Sequence, residues 1–498
     1  MKLDNAHLAD LPAGVARPAY DRSRVTPGIV HIGVGGFHRA HQAMYLDRLM
    51  NAGTALDWGI VGLGILPGDA RMHEVLQASD GLYTLVVKHP DGSRDVRVIG
   101  SIVDHVHAPA DPAAAVERLA DPAIRIVSLT ITEGGYNYDR VTGEFDLDDE
   151  GVQHDLAHPE APRTVFGLVV AGLRLRRERG VPAFTVMSCD NIQGNGHVAR
   201  SSFTAFARAL DERHGTDLAA WMTEHVAFPS SMVDRITPAT TDADRADVAE
   251  RHGVDDAWPV VTEDFEQWAL EDTFTAGRPP FEQAGVQVVA DVEPYELMKL
   301  RLLNASHQAL AYVGWLAGYR AVHDAVRDPL IARLLRRYMD EEGTPTLAPV
   351  PGVDLDAYKD RLIERFTNEH VADTVARLAA ESSDRIPTWL MPVVRENLAA
   401  GRQVELSAAV VASWARYAEG VDEHGAPIRV VDRLAERLTA VAQRNRTEPT
   451  AFLADRTLFG DVVDDERFTA PYVATLTSLH EKGVRATLEA LLTAPVGA

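Results

Sequence analysis

The stretch HIGVGGFHRAHQ, residues 31–42, constrains the fold of this chain more than any other segment. Gly33 and Gly35 fill the first two positions of the pattern G-x-G-x-x-G, in which glycines let the backbone approach a pyrophosphate. An apolar run at residues 29–32 precedes this turn, and residues 38–50 follow it with helical spacing. A strand, a glycine turn and a helix in this order predict a dinucleotide-binding unit. His38 occupies the third position, which predicts a modified crossing of the helix and the strand.

The rest of the chain divides into an alternating half and a helical half. Strand patterns at residues 58–63, 83–88, 96–102, 124–132 and 183–188 and a helix pattern at 164–179 predict a parallel sheet with helices on both faces. Helix patterns follow at residues 293–316, 328–342, 355–367, 370–380, 407–419 and 430–444. The prediction is therefore an α/β protein. Its Rossmann-like, doubly wound domain covers residues 1–287, and a mostly α-helical domain covers residues 288–498.

Composition narrows the class of partner. The formal net charge of −24 disfavours binding to nucleic acid or to an anionic membrane, and it favours small-molecule chemistry. Cys189 is the only cysteine, so no intrachain disulfide and no cysteine-based zinc site is expected. The N-terminus lacks the apolar stretch of a signal peptide, and the apolar run at residues 165–173 is too short to span a membrane. We expect a cytoplasmic protein without a metal site.

Five motifs together carry a resemblance to a known family. They are GVGGFHRAHQ (33–42), SLTITEGGY (128–136), TVMSCDN (185–191), MVDRITP (232–238) and EPYELMKLRLLNASH (293–307). In this content and order the chain resembles the long-chain polyol-specific dehydrogenases and reductases, from about Gly28 to beyond Gly420. That family also lacks the third glycine, so the resemblance implies that the turn binds NAD.

The predicted cofactor site combines the turn with two acidic residues. Asp69, beyond the second strand, is the candidate for the adenosine ribose, although a role as a turn residue is equally open. NAD-preferring members of the family carry a second carboxylate where this chain has Gly68, so NADP stays open as well. Glu133 follows a central strand, where parallel sheets bind ligands, but a structural hydrogen bond is equally open there. The predicted cofactor residues are Gly33, Gly35, Gly36, Phe37, His38, Arg39, Asp69 and Glu133.

The predicted catalytic residues gather on one helix. At about 100° per residue, Glu296, Lys299, Asn304 and His307 project over less than half of the circumference of an otherwise apolar helix. A lysine can act as a base without metal when burial and cationic neighbours lower its pKa. The resemblance implies that Lys299 is this base and that Asn191 and Asn304 bind the reacting oxygen. It also implies that His307 positions the substrate and that Glu296 passes the proton to water.

The resemblance further implies substrate contacts. Asp234 matches a position near the polyol hydroxyls, and Arg377 matches an arginine that binds the distal hydroxyls. Arg385 stands where the family more often has lysine, and this exchange changes the donor geometry. For both arginines a surface salt bridge is the alternative.

The expected reaction is the reversible oxidation of D-mannitol by NAD⁺ to D-fructose. Arg377 and the stretch TPTLAPVPGVDL favour this branch of the family, whereas ILPGDAR favours reduction of fructuronate to D-mannonate. D-arabinitol is a third possible substrate. A non-catalytic NADH-binding sensor is the alternative from another class. The oligomeric state and the direction of the reaction in the cell are left open.

Overall fold

The computed structural model describes residues 1–138 and 143–493, which divide into two units. The first unit is Met1–Glu293, and the second begins at Pro294. No helix in the described part of the chain combines the length and the apolar composition that a membrane span requires.

A parallel sheet forms the centre of the first unit. The strands of this unit are β1 (Pro27–Ile32), β2 (Gly59–Gly64), β3 (Tyr83–Lys88), β4 (Arg94–Ile99), β5 (Ile102–His107), β6 (Ile126–Leu129), β7 (Thr185–Ser188), β8 (Ser231–Asp234), β9 (Val260–Glu263), β10 (Gln267–Glu271) and β11 (Gln287–Val289). Five of them form the central sheet in the order β5-β2-β1-β6-β7, and every neighbouring pair is parallel. The predicted doubly wound α/β class is confirmed.

Helices cover both faces of this sheet. Alternate residues of β1 point to opposite faces, as in any strand. Val30 and Ile32 join the apolar cluster that contains Leu168, whereas Ile29 joins the cluster that contains Met44. The helices of the first unit are Gly36–Ala40, Gln42–Asn51, Ala70–Ala78, Pro112–Ala120, Glu150–Ala157, Val165–Glu178, Asn195–His214, Leu218–His225 and Asp242–His252.

The predicted strand at residues 96–102 is wrong in one respect, because it is two strands in two sheets. β4 pairs antiparallel with β3 in the sheet β4-β3-β9, whereas β5 pairs with β2 in the central sheet. The chain breaks at Gly100, whose N–H donates to the buried Asp47 carboxylate at 3.0 Å. Asp47 also accepts from the Tyr20 hydroxyl at 2.7 Å. A third sheet has the order β11-β10-β8.

The second unit is built of helices, as predicted. Its longest buried segment comprises the α-helix Glu293–Met298, the π-helical turn Lys299–Asn304 and the α-helix Ala305–Leu316, and we call residues 293–316 the central helix. The other helices are Val322–Arg327, Pro329–Tyr338, the π-helical Met339–Gly343, Leu355–Phe366, Val375–Ala379, Ser382–Arg385, the π-helical Ile386–Leu390, Met391–Ala399, Glu405–Ala418, Ala435–Ala442, Arg456–Phe459 and Glu466–Thr493.

The predicted helix at residues 370–380 is broken. A 3₁₀ turn at Glu369–Val371 ends at Ala372, which has a left-handed backbone with φ of 56°. The helix Val375–Ala379 then begins after Thr374, whose side chain accepts from the Arg377 N–H. An N-cap of this kind starts a new helix and not the continuation of an old one.

A stacked pair of histidines occupies the place where the third glycine is missing. The rings of His31 and His38 lie 3.4 Å apart between centroids and are nearly parallel, at 12°. The His31 ring nitrogens lie 2.8 Å from the Ser128 hydroxyl and 2.9 Å from the Thr130 hydroxyl. Burial lowers the pKa of His31 to about 3 and lowers that of His38 well below its ordinary value. Two flat, neutral rings therefore fill the space between β1 and the following helix.

A first prediction concerns the close approach at Gly33. Its φ is +94°, and a Cβ there would lie 2.1 Å from the Thr130 carbonyl oxygen. We expect Gly33→Ala to lower the free energy of unfolding by about 3 kcal/mol or more, since both the backbone and the contact are incompatible with a side chain. Urea unfolding measures this change.

The matched control is Gly35→Ala. A Cβ at Gly35 would have only the Gly33 carbonyl oxygen within reach, at 3.8 Å. We expect its free energy of unfolding to stay within about 1 kcal/mol of the parent. Equal unfolding midpoints for the two variants would contradict the close approach.

A second prediction follows from the buried histidines. The unfolded chain binds protons at His31 below about pH 6.5, whereas the folded chain does not, so stability is lost as the pH falls below that value. We expect the loss between about pH 8 and about pH 5.5 to shrink by about 1.4 kcal/mol in His31→Asn, because one such group is gone. His225→Asn, at an exposed position, is the control and should leave the loss unchanged. An unchanged loss in His31→Asn would show that His31 takes up its proton in the folded state.

Candidate active site

Several predicted site residues of the first unit lie along one edge of the central sheet. The glycine turn follows β1, Asp69 follows β2, Glu133 follows β6 and Asn191 follows β7. These four strands are neighbours in the order β2-β1-β6-β7, and all are parallel. Their carboxyl ends therefore meet at the same edge, which is where open parallel sheets bind ligands.

The glycine turn, residues 33–39, offers room at its backbone. A Cβ added at Gly35 would have no side chain of another residue within 4 Å. A Cβ added at Gly36 would lie 3.6 Å from the Thr237 methyl group. The Phe37 ring stacks on His41, with centroids 4.9 Å apart. A diphosphate fits this open backbone, since glycine lets phosphate oxygens approach the N–H groups.

Two predicted cofactor residues have side chains that face the protein interior. The His38 ring is buried against His31. The Arg39 guanidinium is also buried; it donates to the Trp258 carbonyl and lies 5.2 Å from the centre of the Tyr83 ring. These side chains support the turn from behind, so we expect only their backbone to face a ligand.

Asp69 stabilises the turn that follows β2. Its Oδ2 accepts from the N–H groups of Ile65 and Leu66, each at 2.9 Å. Asp69 thus has the turn role that the sequence allows, and its role at the ribose stays a prediction.

Histidines lie beside the Asp69 turn. His73 and His105 approach to 3.1 Å between their Nδ1 atoms, and His107 Nε2 lies 3.2 Å from the Leu66 carbonyl oxygen. Burial and the neighbouring His73 lower the pKa of His105 to about 4. No pattern in the sequence pointed to this cluster, because its members come from a helix and an edge strand.

Asp234 ends β8, and the chain after it runs beside the glycine turn. Arg235 is buried and donates to the Ala40 carbonyl at 2.7 Å. Thr237 lies next to Gly36, as described above. The motif MVDRITP is therefore held against the helix that follows the turn, although Asp234 alone was predicted from it.

In the second unit, the predicted catalytic residues lie on the central helix. Glu296, Lys299, Asn304 and His307 are all buried. Lys299 begins the π-helical turn and Asn304 ends it, so the uniform rotation per residue assumed from the sequence does not hold here. Short π-helical insertions are frequent at functional sites.

A second π-helical turn packs against the first. Tyr338 donates to the Arg301 carbonyl at 3.0 Å, and a Cβ at Gly343 would lie 2.9 Å from the Leu302 Cδ2. Gly343 ends the π-helical turn Met339–Gly343. The shape of the helix around Lys299 thus depends on a segment about forty residues further along the chain.

Asp373 holds one predicted substrate residue, Arg377. It accepts from Arg377 Nε at 2.6 Å, and Arg377 Nη2 also bonds to it. Burial raises the pKa of the Asp373 carboxyl, but the hydrogen bond and the positive charge of Arg377 outweigh burial and hold the pKa below its ordinary value. Asp373 was missed, although the spacing of four residues to Arg377 on a helix pattern signals such an ion pair.

Arg385 lies next to Arg377. Its Nη1 donates to the Arg377 carbonyl at 3.1 Å and to the Leu378 carbonyl at 3.0 Å, and the guanidinium lies 5.4 Å from the centre of the Trp389 ring. The structure thus gives each arginine a protein partner, and their substrate contacts stay predictions. The ring of His307 packs against Phe366, with centroids 4.7 Å apart.

Comparison with known proteins accounts for both units. The mannitol dehydrogenase Rossmann domain model matches residues 27–283, and the mannitol dehydrogenase C-terminal domain model matches residues 291–480. A mannitol 2-dehydrogenase of Aspergillus fumigatus is 44% identical over 98% of this chain and 98% of its own length.

Solved structures agree with this result. The structure of Pseudomonas fluorescens mannitol 2-dehydrogenase, a ternary complex with NAD and D-mannitol, is 46% identical, with a TM-score of 0.89 over 99% of this chain and 100% of its own. A D-sorbitol dehydrogenase in substrate-free form is 39% identical, with a TM-score of 0.91 over 98% of this chain and 100% of its own. The chain belongs to the mannitol dehydrogenase family.

Proposed function

We propose that this dehydrogenase oxidises D-mannitol at C2 with NAD⁺, gives D-fructose and NADH reversibly, and needs no metal ion. The observation that carries the proposal is the similarity over 99% of the chain to an enzyme whose structure contains NAD and D-mannitol. The residues that this chemistry requires are present in the chain, and Lys299 lies buried in a π-helical turn.

The open backbone at Gly35 and Gly36 supports binding of the cofactor diphosphate. Asp69, next to this turn at the sheet edge, is assigned to the adenosine ribose. When bound, NAD⁺ accepts the hydride from the alcohol carbon. The full set of residues assigned to the cofactor is Gly33, Gly35, Gly36, Phe37, His38, Arg39, Asp69 and Glu133.

Lys299 is assigned as the general base. Its Nζ takes the proton of the C2 hydroxyl while the C2–H bond breaks and its electron pair leaves with the hydride. Burial favours the neutral amine that this step needs. The amides of Asn191 and Asn304 donate to the reacting oxygen and stabilise its developing negative charge. Glu296 carries the proton onward to water, and His307 orients the hydroxyl.

The distal hydroxyls are assigned to Asp234, Arg377 and Arg385. Asp373 holds the Nε and Nη2 atoms of Arg377. We therefore assign Nη1 to the substrate, since it is the remaining guanidinium nitrogen. A planar guanidinium fixed along one edge presents its remaining donors in one direction, which suits binding of the hydroxyls at one end of an open-chain polyol.

A cytoplasmic location is also part of the proposal. It is supported by the use of a single cysteine, Cys189, which is buried as a free thiol. Cysteine use of this kind is usual in a reducing compartment.

The proposal is tested by following NADH absorbance at mildly alkaline pH. D-mannitol, D-arabinitol, D-sorbitol and D-mannonate are compared in parallel, first with NAD⁺ and then with NADP⁺. We expect kcat/KM for D-mannitol with NAD⁺ to exceed that of every other pair by about tenfold or more.

The other outcomes each identify an alternative. Turnover of D-mannonate alone would assign the protein to fructuronate reduction, and a preference for D-arabinitol would assign it to a five-carbon polyol. Tight NADH binding without turnover of any of these substrates would favour the sensor.

The assignment of the base predicts the behaviour of Lys299→Ala. We expect kcat for D-mannitol to fall by about 100-fold or more, because the proton acceptor is lost. The dissociation constant for NADH, measured by fluorescence, should change by less than about threefold. Lys482→Ala, at an exposed position, is the matched control and should retain the parent rate. Near-parental oxidation by Lys299→Ala would show that another group is the base.

A further inference from the structure

The loop after β6 contains a residue in an unusual backbone conformation. Thr132 has φ of 65° and ψ of 168°, a region that is essentially restricted to glycine. The sequence predicted a strand through residue 132, but β6 ends at Leu129. Conformations of this kind persist only when the surroundings hold them, and they are found mostly at functional sites.

The carboxylate of Asp190 holds this loop. It accepts from the Ile131 N–H at 3.1 Å, from the Thr132 N–H at 2.8 Å and from the Tyr136 hydroxyl at 2.7 Å. Asp190 is buried, with 7% of its surface exposed. Its contacts bracket Glu133, which is assigned to the cofactor site, because Thr132 precedes Glu133 and Tyr136 ends the same turn.

The backbone of Asp190 fixes the other loop of the site. Its carbonyl accepts from the Ile192 N–H at 2.9 Å, which places Asn191 at the centre of a tight three-residue turn. The same carbonyl accepts from the Asn195 side chain at 2.9 Å. Asn195 in turn bonds both the N–H and the carbonyl of Ser231 in β8.

We propose that Asp190 is a positioning residue that holds the loop of Glu133 and the turn of Asn191 in one fixed arrangement. The proposal rests on the proposed function, since it takes Asn191 as the amide that binds the reacting oxygen. Asp190 touches neither substrate nor cofactor in this role. It controls the rate of turnover, because an amide displaced by a small distance no longer stabilises the developing charge.

The arrangement depends on the charge of the carboxyl group. Burial raises the pKa of Asp190 to about 6, bonds from Tyr136 and the two N–H groups oppose this rise, and the nearby Glu133 adds to it. The titratable groups that face Asp190 are Glu133, Tyr136 and Cys189. Below about pH 6 one carboxyl oxygen carries a proton, so the neutral group accepts more weakly from the Tyr136 hydroxyl and the two N–H groups than the carboxylate does. The Asp190 side chain would then hold Thr132 and its loop less firmly.

The test is reduction of D-fructose with NADH at several pH values. In this direction Lys299 donates its proton, so acidification does not remove its active form. We expect kcat of the parent to fall by about tenfold per unit below about pH 6. In Asp190→Asn we expect kcat at neutral pH to fall by about 30-fold or more. We also expect the acid decline to be absent and the NADH dissociation constant to change by less than about threefold.

Two further variants separate positioning from a merely structural role. Asp155→Asn is the matched control, because Asp155 is also buried and accepts from two backbone N–H groups, of Arg163 and Thr164, and from the Thr164 hydroxyl. It should lower the unfolding midpoint and leave kcat and its pH profile at parental values.

Tyr136→Phe should move the acid decline to higher pH, since one bond to the charged carboxylate is lost.

Hydrogen exchange at the Ile131 and Thr132 amides gives a readout that needs no turnover. We expect both amides to be protected in the parent and to exchange about tenfold faster or more in Asp190→Asn. Parental kcat in Asp190→Asn, or unchanged exchange at these amides, would overturn the proposal. Absence of D-fructose reduction by the parent would instead contradict the proposed function, and hydrogen exchange alone would then decide whether Asp190 holds the loop.

Discussion

The close approach of Gly33 to Thr130 is the contact on which the rest of the first unit depends. The Thr130 hydroxyl donates to the Gly33 carbonyl at 2.7 Å, and no side chain fits between them. This contact joins the ends of β1 and β6, two central neighbours in the sheet. The glycine turn leaves one of these strands and the Glu133 loop leaves the other. Displacing either strand end would therefore move both loops that carry the candidate cofactor residues.

Two sets of candidate residues are held in place by aspartate carboxylates. Asp190 holds the loops of Glu133 and Asn191, and Asp373 holds Arg377. At the glycine turn, the buried His31 ring bonds to the Ser128 and Thr130 hydroxyls and supports the stacked ring of His38. A buried polar group is stable only when its bonds are satisfied, so such groups have few alternative arrangements. This rigidity is what preorganised chemistry requires.

The fold was largely predictable because its signals are local. Alternating apolar strands and amphipathic helices indicated the parallel sheet and the helical second unit, and both are present. The errors have specific causes. The run at 96–102 has a nearly continuous strand pattern, but the chain leaves one sheet at Gly100, whose N–H donates to the buried Asp47 carboxylate. The helix pattern at 370–380 is interrupted by the left-handed backbone of Ala372, which no local preference for glycine announced. The π-helical turn at Lys299 has no signature in apolar spacing, since it depends on packing against Gly343.

For the site, the sequence by itself determined the family, the order of its motifs and the identity of the polar residues that carry the proposed chemistry. These are properties of short stretches, and each can be identified without knowing what lies beside it. Only the tertiary structure decided which buried groups hold those residues. Asp190 and Thr132 are separated by 58 positions, and Arg39 and Trp258 by 219. A chain can bring such pairs together only through the burial of strands and helices between them, so no local pattern encodes the contact.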